Sequence, residues 1–305
     1  MLKIKINGKT YEAEKGEYIL ELCRRNHILI PTLCHHDGIP GLGSCRLCVV
    51  EVNEGNGNKV VVSCVYPLSR DCQVFTESEK IKAIRRTILS MLISRAPEGD
   101  RLASLCQIYG ADSAGSANER YKIPKAVKAS SEEKRLASAC ILCGLCVQAC
   151  ASLGTGAIST IGRGVEKKVS TPYGEASADC IGCGSCAAVC PTKAIECTEI
   201  KGQRSIWGRK FPLLHCESCG KAFATKEEFQ WALKKSGTFS AEAEPPALDA
   251  VCSVNNNTNS SATCGANDSI NSGAVCGATC GAICAACRKK KSADVFATVF
   301  GERTK

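Results

Sequence analysis

CILCGLCVQAC at residues 140–150 and CIGCGSCAAVCP at 180–191 share one spacing, C-x2-C-x2-C-x3-C. No other feature of the chain restricts its fold as strongly. Three cysteines set two residues apart reach three corners of an iron–sulfur cube if the backbone loops tightly around it. Gly144, Gly182 and Gly184 stand beside these cysteines. With no Cβ, a glycine lets main-chain N–H groups approach sulfur closely.

The chain holds 24 cysteines in 305 residues, a density that in a small secreted protein indicates disulfides. Here the N-terminal MLKIKINGKTYEAEKG lacks the apolar h-region of a signal peptide. No stretch approaches the roughly 18 apolar residues of a membrane span, and repeated C-x2-C pairs suit a shared metal better than a mutual disulfide. The expectation is a cytoplasmic, metal-loaded chain with no membrane span. Its formal net charge is +9. Four thiolates around a core of charge +2 leave about −2 per cluster, so three clusters bring the balance to roughly +3. Aromatic residues are 5% of the chain and do not interleave with the basic ones, which argues against a nucleic-acid partner.

The paired runs resemble those of bacterial dicluster ferredoxins, where the fourth cysteine of each run serves the other cluster. That resemblance implies one 4Fe–4S cluster on Cys140, Cys143, Cys146 and Cys190, and a second on Cys180, Cys183, Cys186 and Cys150. Ala151 occupies the place of the proline that often follows the fourth cysteine, whereas Pro191 is present in the second run. GTGAIST at 154–160 does not complete G-x-G-x-x-G and follows a cysteine-rich turn, so it is not read as a nucleotide site. Neither a P-loop nor a nucleophile elbow occurs. Cys197, in AIECTEI, is expected in the core.

Nearer the N-terminus, LKIKI-NG-KTYEAE reads as a hairpin closed by a type I′ Asn-Gly turn. EYILELCRRN places Ile19, Leu20 and Cys23 on one helical face, and EGNGN opens a second hairpin into KVVVSC. Cys34, Cys45, Cys48 and Cys64, spaced C-x10-C-x2-C-x15-C, supply the four thiolates of a 2Fe–2S cluster. Glycines 38, 41 and 43 are expected to fold the loop around the sulfurs. His35 and His36 are read as serving loop packing or hydrogen bonding, and Cys23 and Cys72 as small core residues. Next, Thr76 and Glu79 form a predicted capping box. Ile81, Ile84, Ile88 and Leu92 continue a helical stripe that Pro97 ends.

CHHDGIPGLGSCRLCVVEV closely resembles the 2Fe–2S domain of the complex I large iron–sulfur subunit and of related hydrogenase and formate dehydrogenase subunits. The resemblance implies a β-grasp fold and carries over the same four cysteines as ligands. Relatives of this kind hold another 4Fe–4S cluster on one histidine and three cysteines after the helix. The corresponding SRAPEGDRLASLCQIYG offers only Cys106, so that cluster is expected to be absent. RGVEKKVSTPYGEASADC, between the two runs, looks like an insertion that the relatives share.

In FPLLHCESCGKAF, Cys216-x2-Cys219-Gly is a knuckle ahead of an amphipathic helix. Residues 236–275, with NNNTNSS, read as a flexible loop. Cys284-x2-Cys287 forms a second knuckle. Together they resemble the C-terminal cysteine module of soluble dehydrogenase iron–sulfur subunits, and Cys216, Cys219, Cys284 and Cys287 are expected to bind zinc or a further iron–sulfur cluster. Cys276 and Cys280 have no assigned role, and Cys252 and Cys264 are read as free thiols.

The predicted architecture is α+β: a β-grasp 2Fe–2S ferredoxin domain (1–78), a helical connector (79–129), a bacterial-type dicluster ferredoxin domain (130–205) and a small C-terminal cysteine-knuckle metal module (206–305). The resemblance implies an electron-transfer subunit, non-catalytic in itself and not an iron-only hydrogenase. It would join a flavin/NAD(P)H subunit to a second redox subunit of a soluble hydrogenase or formate dehydrogenase type complex, electron bifurcation included. A ferredoxin is a further candidate partner. The competing readings are a free-standing polyferredoxin carrier and a metal-dependent scaffold or regulator.

Overall fold

The computed structural model describes residues 1–39, 41–111, 135–136, 138–216 and 218–235. They fall into two compact units. The first comprises Met1–Cys180, Gly184–Cys197 and Ile206–Gly208; the second comprises Ile181–Cys183, Thr198–Ser205 and the chain from Arg209 onward. Among the described residues no helix is long and apolar enough to cross a membrane.

In the first unit, β1 (Leu2–Ile6) and β2 (Lys9–Ala13) pair antiparallel around Asn7 and Gly8. Their φ values of 47° and 91° make the turn type I′, as the Asn-Gly pair predicts. After α1 (Ile19–Arg25) come β3 (Val49–Asn53) and β4 (Asn58–Val62), joined through Gly55 and Gly57 at positive φ. β5 (Cys72–Phe75) then inserts parallel to β1 and antiparallel to β3, for a sheet order β2-β1-β5-β3-β4. Strand alternation puts Ile4, Ile6, Val50, Val52 and Val74 on the inner face against Ile19, Leu22 and Cys23 of α1. Each such aliphatic side chain contributes about 1.5–3 kcal/mol on full burial. Cys23 and Cys72 belong to this core, and burial pushes their thiols up to about 12 and about 11.

α2 (Glu79–Arg95) and α3 (Asp100–Tyr109) follow. The cap of α2 differs from the expected one. Ser78 accepts from the Ile81 N–H at 3.3 Å, while Thr76 is buried and exchanges hydrogen bonds of 2.7 and 3.0 Å with the Asn7 side chain. The hairpin turn has claimed the threonine. The buried stripe also differs: it runs Ile81, Arg85, Leu89, Ile93, with Ile84, Ile88 and Leu92 half-buried beside it. Cys106 packs into the core between α2 and α3. The helix ends at Arg95, ahead of Pro97, because proline supplies no N–H to continue it.

α4 (Leu145–Ser152) packs against α5 (Ser185–Ala188), and β6 (Ser159–Ile161) pairs with β7 (Lys168–Ser170). A single apolar cluster includes Leu33, Cys34, Cys45 and Leu47 together with Leu89, Ile93, Ile141, Cys143 and Leu145. Cys197 is half-buried just before the largely exposed β8 (Thr198–Ile200), so it is not the core residue its setting suggested. β9 (Gln203–Ile206), β10 (Arg209–His215) and β11 (Ala222–Thr225) complete a sheet ordered β11-β10-β9-β8. Thr225 and Glu228 form a reciprocal capping box at α6 (Lys226–Lys235), with bonds of 3.0 and 3.3 Å. The loop expected at 236–275 and Cys252, Cys264, Cys276, Cys280, Cys284 and Cys287 lie outside the described residues.

Candidate metal centres

Cys34, Cys45, Cys48 and Cys64 are all buried and fall into two pairs. The Cys45 N–H donates to Cys34 Sγ at 3.2 Å. A hydrogen bond between these two thiols lowers Cys45 to about 6 and raises Cys34. The Cys48–Cys64 pair behaves alike, with Cys48 drawn down to about 7 and Cys64 pushed up. Ser63 fastens Cys64 to Cys48, its Oγ donating to the Cys48 carbonyl at 2.7 Å. The glycines have separate uses. A Cβ on Gly41 would lie 3.4 Å from the Cys64 carbonyl oxygen, Gly43 adopts φ 60°, and the Gly38 N–H goes to His36 Nδ1 at 3.3 Å instead of to a sulfur. His36, itself exposed, thus makes a hydrogen bond within its own loop. His35 Nδ1 is buried without a hydrogen-bond partner among the described residues, and burial lowers its pKa. Two buried thiol pairs form a donor set that fits a 2Fe–2S cluster, with two thiolates per iron.

Arg85 was missed because a charged residue was excluded from the apolar stripe. It is fully buried. Its Nε donates to the Leu47 carbonyl at 3.1 Å and its Nη2 to the Val49 carbonyl at 2.9 Å, on either side of Cys48. Nη1 pairs with Glu77 and with the Tyr109 hydroxyl at 3.1 Å. The guanidinium thus ties the Cys45–Cys48 turn to α2 and α3 and brings positive charge to that loop. The ion pair itself is solvent-screened, since Glu77 is exposed; the buried carbonyl contacts of Arg85 are the part shielded from water. The signal was present: position 85 lies four residues from both Ile81 and Leu89.

Cys140, Cys143, Cys146 and Cys190 line one small, partly open cavity. Leu136, Ile141, Val169, Ala194 and Ile195 supply its apolar wall. The Leu142 N–H reaches Cys140 Sγ at 3.4 Å and the Ala194 N–H reaches Cys190 Sγ at 3.2 Å. Burial raises the Cys140, Cys143 and Cys146 thiols, Cys143 to about 12. Such thiols stay neutral until a metal displaces their protons. Four thiols on an apolar-walled cavity with N–H donors aimed at sulfur fit a 4Fe–4S cluster. Arg95, from the last turn of α2, donates to the carbonyls of Cys140 at 3.2 Å and Lys167 at 3.0 Å. Cys45 is an electrostatic neighbour of Cys143, and Cys186 is one of Cys146.

In the second run, Cys186 is buried on α5 and Cys180 and Cys183 are half-buried. The Trp207 indole donates to Cys186 Sγ at 3.4 Å. Cys150, on α4, has the Thr155 hydroxyl 3.1 Å from its sulfur, and Thr192 stands 3.7 Å from Cys190 Sγ. The GTG segment thus serves a cysteine. In the second unit, Cys216 is buried and Cys219 exposed. Their knuckle is closed by Gly220 N–H to Cys216 O at 2.7 Å and Cys216 N–H to Lys221 O at 2.9 Å, with Gly220 at φ 69°. Cys284 and Cys287, the other half of that expected site, lie outside the described residues.

Residues 1–79 match the 2Fe-2S iron-sulfur cluster binding domain family and residues 139–194 the 4Fe-4S dicluster domain family. The chain is 35% identical to the NADP-reducing hydrogenase subunit HndD of Solidesulfovibrio fructosivorans over 214 residues, 64% of this chain and 36% of that protein. The NADH-ubiquinone oxidoreductase 75 kDa subunit of Reclinomonas americana is 29% identical over 56% of this chain and 26% of its own length. The NADPH-Fe(3+) oxidoreductase subunit alpha of Geobacter sulfurreducens is 30% identical over 68% of this chain and 25% of its own. This chain therefore spans only 25–36% of the length of these relatives. It is an iron–sulfur protein with one 2Fe–2S domain and one 4Fe–4S dicluster domain, related to the iron–sulfur subunits of NAD(P)-linked hydrogenases and of complex I.

Proposed function

We propose that this chain relays electrons through one 2Fe–2S and two 4Fe–4S clusters between a flavin/NAD(P)H-binding subunit and a second redox subunit. The setting is a cytoplasmic complex of the soluble hydrogenase or formate dehydrogenase type, electron bifurcation included. The observation that carries this reading is the single apolar core shared by Cys34 and Cys45 with Cys143. Bound clusters supply one-electron redox states that no side chain here offers.

The chain's own residues would hold, insulate and tune them. Cys34 with Cys45, and Cys48 with Cys64, are assigned one pair to each iron of the 2Fe–2S cluster, in a β-grasp domain. Cys140, Cys143, Cys146 and Cys190 are assigned to one cubane, and Cys180, Cys183, Cys186 and Cys150 to the other. Cys216 and Cys219, with Cys284 and Cys287, are assigned to zinc or a further cluster. Leu33, Leu47, Ile141 and Leu145 keep water from the first two sites, and main-chain N–H groups stabilise the thiolates.

Iron and acid-labile sulfide analysis of the anaerobically purified full chain, with an EPR-monitored redox titration, tests this. About ten irons and three signals are expected from one 2Fe–2S and two 4Fe–4S clusters; a further signal or bound zinc would come from the C-terminal cysteines. Fewer than two cubane signals would overturn the relay. Size-exclusion of the native protein as a lone, fully redox-active monomer would favour a free-standing carrier.

A further inference from the structure

We propose that Trp207 sets the reduction potential of the cluster held by Cys186, its indole N–H making that cluster easier to reduce. The inference rests on the assignment of Cys186 as a cluster ligand. Nε1 lies 3.4 Å from Cys186 Sγ, and both residues are buried, 7% and 8% exposed. Indole is a donor only, so this contact has one polarity: N–H toward sulfur. One-electron reduction changes the total charge on a thiolate-ligated cubane from about −2 to about −3, with all four thiolates retained and no proton moved. A fixed N–H donor in a low-dielectric interior gains more from the more negative sulfur, so it favours the reduced state.

The backbone gives an independent reason. Trp207 has φ 51° and Gly208 φ 73°, so both central residues of the turn between β9 and β10 are left-handed. Such turns favour Asn, Asp or Gly at the first position, and a bulky side chain there is strained. Strain of this kind at a cofactor site points to function. Packing alone does not call for a tryptophan, because phenylalanine would fill the same region without the N–H. The first run lacks this device: no side-chain N–H or O–H among the described residues reaches the sulfur of Cys146, the counterpart of Cys186.

The test is Trp207→Phe in the full chain, titrated anaerobically with dithionite and followed by EPR. Iron and sulfide content should stay constant. At a fixed applied potential the reduced-to-oxidised ratio of one cubane should fall about threefold to tenfold, tenfold being ~59 mV for one electron. The other two midpoints should not move. In wild type after exchange into D2O, ENDOR on the reduced cubane should report an exchangeable proton that Trp207→Phe lacks. An unchanged midpoint with that proton still present would overturn the proposal. Should Trp207→Phe fail to load iron, 5-fluorotryptophan in the unaltered sequence decides. It preserves shape and strengthens the N–H donor, so the midpoint should rise; no rise would overturn the inference. A wild-type chain with only one cubane signal would instead remove the ligand assignment beneath it.

Discussion

Cys140–Cys150 and Cys180–Cys190 follow one backbone course. The third residue of each run is left-handed, Leu142 at φ 54° and Gly182 at φ 67°, and the glycine after the second cysteine opens a helix at φ 83° or 75°. The helices then part. α4 continues for eight residues through Ala151 and Ser152, while α5 has four and stops before Pro191. Proline disfavours helical geometry in the residue before it, which accounts for the shorter helix. The donors around the sulfurs differ as well: Trp207 serves Cys186, Thr155 lies near Cys150, and Thr192 lies farther from Cys190. Ligand spacing governs where the sulfurs sit, and residues from elsewhere in the chain govern what each sulfur feels.

The largest effect concerns which run feeds which cluster. Cys190 belongs to the second run in sequence but shares a cavity with Cys140, Cys143 and Cys146. Cys190→Ala is expected to abolish the same EPR signal as Cys143→Ala, with a loss of about four irons in ten. Cys150→Ala should match Cys183→Ala. If Cys190→Ala instead erased the signal that Cys183→Ala erases, the runs would act independently and the crossed assignment would be wrong.

A smaller effect separates Leu142 from Gly182. A Cβ at Gly182 would meet the Phe211 ring at 2.5 Å, in a left-handed backbone. Gly182→Ala should destabilise by about 2–4 kcal/mol, from φ strain and overpacking together. Leu142→Gly relieves strain while losing a half-buried side chain, so it should stay within about 1 kcal/mol of wild type. Thermal melts of the loaded protein would compare the two. Equal losses would mean that the shared backbone course does not govern stability at this position.

Local chemistry was legible in the sequence, and long-range partners were not. Asn7-Gly8 and Pro97 act within a few residues of themselves, and the structure follows them. Ser78 displaced Thr76 as the helix cap because Asn7, distant in sequence, bonds the threonine. Arg85 broke the expected stripe because its partners are carbonyls at 47 and 49. Trp207 gave no local sign, since an indole in a turn declares its role only once Cys186 is beside it. Thr155 sits in a glycine-flanked segment whose spacing carries no ligand signal of its own.

The smallest effect distinguishes the two threonines. Thr155 Oγ1 lies 3.1 Å from Cys150 Sγ and 3.2 Å from the Cys150 carbonyl oxygen, so both compete for its one proton, whereas Thr192 Oγ1 lies 3.7 Å from Cys190 Sγ. Cys190 also receives the Ala194 N–H at 3.2 Å, so its sulfur keeps a donor when the hydroxyl is removed. Thr155→Val should therefore lower the midpoint of the Cys150-ligated cluster by about 30 mV, a threefold change in the one-electron equilibrium. Thr192→Val should move the Cys190-ligated cluster by roughly 10 mV or less on the same scale. Valine keeps the branched shape, so both variants should retain full iron and leave the 2Fe–2S signal where it was. A larger shift from Thr192→Val than from Thr155→Val would show that hydroxyl distance does not order the two sites, and that main-chain donors alone set their difference.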